Sequence, residues 1–125
     1  MTDPIATLKM VTLDSADAER DGAFWSSLLG WDVAHSGDGY AMLTGPDSAL
    51  GFGTVPDYQP PAWPNPAGTK QFHFDLAVED LPTAERQAVD LGATRPDDQP
   101  GGDRWRVLLD PSGHPFCLTL AANWG

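Results

Sequence analysis

Two stretches of this chain run through the same order of signals. "LKMVTL" (Leu8–Leu13) is a short β-rich run, followed by "DSADAERDGAFWSSLLGW" (Asp14–Trp31). There Asp17 or Ser15 can cap a helix, Phe24, Trp25 and Leu28 form an apolar stripe, and Gly30 is placed to end it. "DVAHS", "YAMLT" and "ALGFGTV" then read as three short strands divided by Gly-Asp-Gly and "GPDS" turns. The second stretch repeats the order. "QFHFDLAV" is a strand, and "EDLPTAERQAVDLGA" is a helix with Pro82 in its first turn and Gly92 at its end. A short strand near Ala93–Arg95, "WRVLL", the turn "DPSG" and "PFCLTLA" complete it. A β-α-β-β-β unit of this length exposes a sheet face that it cannot bury alone, so it must stack on its twin.

The reading is therefore an α+β fold in one domain over residues 1–125. Two tandem βαβββ modules, at about 6–55 and 71–122, form a curved mixed sheet cleft flanked by helices. The prolines of "PDYQPPAWPNPAGTK" (56–70) remove backbone donors and predict an extended linker. Landmarks align Met10 with His73, Asp17 with Asp80, Leu29-Gly30 with Leu91-Gly92, and Gly53 with Cys117.

Strand alternation sorts the faces. Phe72, Phe74, Leu76 and Val78 take the helix side of their strand, leaving Gln71, His73, Asp75 and Ala77 on the other. In the last strand Phe116, Leu118 and Leu120 pack, and Cys117 and Thr119 oppose them. By the repeat, Met10 and Thr12 line the open face of the first strand, where Gly51 and Gly53 leave space. Trp63, on the linker, is expected as a lid for a flat ligand, while Trp25 and Trp31 belong to the core or a subunit contact. The predicted ligand-binding set is thus Met10, Thr12, Gly53, Trp63, His73, Asp75 and Cys117, with His73 and Asp75 as candidates for a catalytic base pair. His114 is expected to bond locally within its turn, and His35 to be exposed.

A formal charge of −11 argues against nucleic-acid and anionic-membrane partners, which require a basic face, and favours a neutral or cationic small ligand. With one cysteine and no leader-like or membrane-spanning run, the expected location is the cytoplasm. Cys117 has no cationic neighbour in its local run to lower its thiol pKa, so it reads as a small hydrophobe.

The duplication, together with "FWSSLLGW", "HFDLAVEDL", "LGA" and above all "DPSGHPFCL", resembles the vicinal oxygen chelate superfamily over about Leu8–Leu120. The likeness is to its glyoxalase-like branch, within the glyoxalase/bleomycin resistance protein/dioxygenase group. In metal-using members the first and last strands of each module supply His, Gln or Glu ligands to one ion. Carried over, those slots hold Met10, Gly53, His73 and Cys117. Glycine has no donor and methionine is too soft for the hard divalent ions involved, so no metal cofactor is expected. His73 with Cys117 could hold zinc only with further donors, for which Asp75 and water are the candidates. The resemblance implies a metal-free homodimeric protein that sequesters an aromatic or cationic ligand. The alternative is a lyase, isomerase or dioxygenase acting at the same cleft.

Overall fold

The computed structural model describes residues 4–124; the first three residues of the N-terminal stretch read above for a leader, and Gly125, lie outside the described residues. Two compact units divide the chain, Met1–Tyr58 and Gln59–Gly125, so most of the proline-rich linker belongs with the second.

In the first unit β1 (Met10–Ser15) leads to α1 (Ala18–Leu29), and β2 (Asp32–Gly37), β3 (Tyr40–Thr44) and β4 (Ala49–Thr54) follow. The sheet order is β1-β4-β3-β2, with β1 parallel to β4 and the rest antiparallel. Asp17 caps α1 by accepting from the Arg20 N–H at 3.2 Å, and Gly30 ends it at φ 70°, a conformation that costs glycine little. The β2–β3 hairpin turns at Asp38 and Gly39, with φ 56° and 77°, the positive pair that a type I′ turn demands. Leu13, Phe24, Trp25, Leu43 and Phe52 form the buried core between helix and sheet.

The second unit runs β5 (Phe74–Val78), α2 (Leu81–Leu91), β6 (Trp105–Leu109) and β7 (Pro115–Leu120), with sheet order β5-β7-β6. Asp80 caps α2 through the Thr83 N–H at 2.9 Å, and these hydrogen bonds lower its carboxyl pKa. Leu81, Ala88, Val107, Leu108, Phe116 and Leu118 fill this core. No helix among the described residues is long and apolar enough to cross a membrane.

Two strands differ from expectation. The one predicted at Ala93–Arg95 reduces to a single bridge, Thr94 with Leu109. Pro96 has no donor to extend the ladder, and the Arg95 side chain leaves to reach Glu85 at 3.2 Å. The strand predicted from Gln71 begins only at Phe74, because Gln71 sits at φ 58°. Phe72, expected on the packed side, is in consequence 65% exposed.

Candidate functional site

The turn "DPSG" sets up the last strand. Buried Asp110 accepts at Oδ1 from the Ser112 and His114 backbone N–H groups at 3.0 and 2.9 Å, and Gly113 adopts φ 87°. His114 thereby bonds locally through its backbone, and the chain enters β7 with Phe116 and Leu118 inward. Cys117 and Thr119 face the other way, into an open cleft of about 460 Å3.

The ladders assemble that cleft. Asp75 faces Cys117 across the β5–β7 pair, while Val107 and Trp105 face Cys117 and Thr119 across β6–β7. His73, just ahead of β5, holds its Nε2 3.4 Å from Asp75 Oδ1. Trp63 forms a wall rather than a free lid, since its indole N–H donates to the Asp98 carbonyl at 3.0 Å. Lys70 Nζ lies 5.3 Å above its ring. Trp124 closes a further side, donating to Thr119 Oγ1 at 2.7 Å, and Thr119 donates in turn to the Leu76 carbonyl. Of the residues expected at the site, the second unit gathers Trp63, His73, Asp75 and Cys117.

Trp105, Trp124 and Lys70 were missed in the sequence. Trp105 alternates with Val107 on β6, so period-two reasoning could have placed it; Trp124 follows the last strand in a 3-10 turn and carries no such signal.

Met10, Thr12 and Gly53 lie on the first unit. There the Tyr40 hydroxyl approaches Met10 Sδ at 3.9 Å. A Cβ on Gly51 would stand 2.8 Å from Thr12 Oγ1, 3.1 Å from the Tyr40 hydroxyl and 3.3 Å from Met10 Sδ. Gly51 therefore makes room for neighbouring side chains instead of opening space, whereas a Cβ on Gly53 meets nothing within 4 Å. The contrast predicts that Gly51→Val destabilises the protein by about 1–3 kcal/mol through overpacking. Gly53→Val should leave urea-denaturation stability at or slightly above the parent's. Equal effects at the two positions would refute this picture of the sheet face.

The registers also correct the repeat alignment. Met10 and His73 each stand seven residues ahead of their helix's cap. Thr12, which pairs Gly51, then matches Asp75, which pairs Cys117. Cys117 thus corresponds to Gly51, not Gly53.

A metal can be tested against these donors. The ligand atoms of His73, Asp75 and Cys117 all lie within 4.8 Å of one another. Donors around tetrahedral zinc stand about 3.5 Å apart, given bonds of about 2.0–2.3 Å, so this triad would have to tighten to share an ion. Burial, followed by the Asp75 charge, pushes the Cys117 thiol up to about 11, so without an ion the sulfur is held as the neutral thiol. The corresponding positions of the first unit, Met10 and Gly51, offer no hard donor. The residues do not fit the four-ligand hard-ion centre implied by the resemblance, while His73, Asp75 and Cys117 remain three donors close enough together to be candidates for an ion.

A family profile for the glyoxalase-like domain matches residues 10–119. No curated protein matches the sequence. Among solved structures, a glyoxalase/bleomycin resistance protein/dioxygenase family enzyme from Burkholderia phytofirmans PsJN is 18% identical, with 93% of this chain and 99% of that one covered at a TM-score of 0.68. The trypanothione-dependent glyoxalase I of Leishmania major is 17% identical over 95% of this chain and 89% of its own, at 0.65. A bleomycin resistance determinant encoded on the transposon Tn5 is 21% identical over 92% and 98%, at 0.55. Likeness at such identities speaks to fold and not to reaction. The profile, by contrast, runs through both modules from β1 to β7, and the chain belongs to the glyoxalase-like domain family of the vicinal oxygen chelate superfamily.

Proposed function

We propose that the protein binds a flat aromatic or cationic small molecule in the cleft of its second unit, without a resident metal. One observation carries the reading: Trp63, Trp105 and Trp124 wall a cleft that also presents the half-exposed Asp75 carboxylate. Indole faces supply large contact area and attract cations, and a volume of about 460 Å3 suits a small molecule. The net charge of −11 favours accumulation of a cation around the protein.

The test has two arms. Elemental analysis should find no stoichiometric divalent metal; one zinc, iron, nickel or manganese per chain would overturn the metal-free reading. Titration with flat organic molecules should quench tryptophan fluorescence saturably. His73→Ala should weaken that binding severalfold, by about 1 kcal/mol for one lost polar contact. A parent protein whose emission no such compound changes would refute the binding reading.

We also propose a cytoplasmic homodimer. Support comes from the single free Cys117, which suits a reducing compartment, and from sheet edges open to pairing, such as the exposed strand β2. Light scattering should return twice the chain mass at micromolar concentration, and the monomer mass would contradict it.

A further inference from the structure

The side chain at the mouth of this cleft is itself a cation. Lys70 Nζ sits over the Trp63 ring at 5.3 Å, and both partners are held where they meet. The Lys70 backbone N–H donates to Asn65 Oδ1 at 3.0 Å, and the Trp63 indole is tied to the Asp98 carbonyl at 3.0 Å. Among the described residues no carboxylate lies within ion-pair distance of the Lys70 ammonium. Asp75, the acid of the cleft, is paired instead with His73. The ring face is thus the chief partner that the ammonium has, and such a contact at a partly exposed site is weak and easily exchanged.

We propose that Trp63 forms a subsite for an organic cation, and that Lys70 is its tethered occupant, displaced when a cationic ligand arrives. This rests on the proposed function and names its ligand class: a flat molecule carrying a quaternary or iminium charge, set over Trp63 within reach of Asp75. Lys70 and Asp75 both line the cleft beside Trp63. Lys70 then acts as a built-in competitor for the Trp63 face whose like charge holds off cations more than neutral ligands.

N-methylquinolinium and 1-methylnaphthalene have the same shape and differ in charge, so they separate the two ideas. In fluorescence titrations, Lys70→Met should bind N-methylquinolinium roughly two- to fivefold more tightly than the parent does, the range of an exposed cation–π contact. Its affinity for 1-methylnaphthalene should change by less. Lys70→Arg keeps a cation on the ring and should behave as the parent. Arg86→Met removes an equal charge from α2, outside the cleft lining, and should not reproduce the gain. The subsite is overturned if Lys70→Met binds the cation no better than the parent, or if Arg86→Met gains as much, since bulk charge would then explain the effect. If the parent binds neither probe, the binding function itself fails and the subsite falls with it.

Discussion

Asp21→Ala should lower the unfolding free energy by about 3 kcal/mol, more than any other single polar truncation proposed here. Asp21 lies one turn into α1, fully buried, and its carboxylate accepts the hydroxyl of Ser15, which is equally buried at the end of β1. Its other oxygen accepts from Arg20 Nε at 3.2 Å. Ser15 also receives the backbone N–H of Asp17, the residue that caps the helix. One carboxylate therefore ties the end of the first strand to the start of the helix. Its removal costs a charge-assisted hydrogen bond between two fully buried groups, typically about 1.5–3 kcal/mol. Arg20 is half exposed and can return to water, so it adds little. Urea denaturation gives the value directly. A double-mutant cycle with Ser15→Ala should show coupling in the range of about 0.5–3 kcal/mol; additive effects would mean that the buried pair does not act as a unit.

What could be read without coordinates was local. Asp17, Gly30, Asp80 and Gly92 mark both helices because capping and left-handed termination depend on a few adjacent residues. Alternation placed Asp75, Cys117 and Thr119 on one face, since the pleat has a period of two whatever lies beyond. Readings that required a partner across the sheet fared differently. The pairing of Gly53 with Cys117 came from turn landmarks, and only the registers Asp75–Cys117 and Thr12–Gly51 move the match to Gly51. The space expected at Gly51 is filled by Thr12 and Tyr40, the first brought there by β1–β4 pairing and the second by β3–β4 pairing. Phe72 failed for a backbone reason: one positive φ at Gln71 breaks the strand before its periodicity applies. Trp124 reached the cleft through a terminal turn whose docking on Thr119 nothing in "AANWG" announces.

The second large effect is expected at a glycine outside the predicted set. Gly101 is buried in the turn before β6, and a Cβ there would meet the Trp105 ring well inside van der Waals contact. Its φ is not positive, unlike that of Gly102, so the objection to a side chain is steric and not conformational. The backbone of Trp105 is fixed by its pairing with Thr119 in the β6–β7 ladder, which leaves the indole as the part that must swing. Because that indole walls the cleft while Leu108 carries the core on the other face of the strand, Gly101→Val should deform the site more than the fold. Affinity for a flat ligand should drop at least tenfold, equivalent to about 1.4 kcal/mol. Unfolding stability should fall by about 1–2 kcal/mol, as is usual for one overpacked position. Trp105→Leu should reproduce the binding loss, and combining the two substitutions should add little to it, since both remove the same wall. If Gly101→Val binds as the parent does while Trp105→Leu does not, the ring tolerates the crowding. If neither changes affinity, the ligand does not stack on Trp105, and the cleft assigned to the second unit is not where it binds.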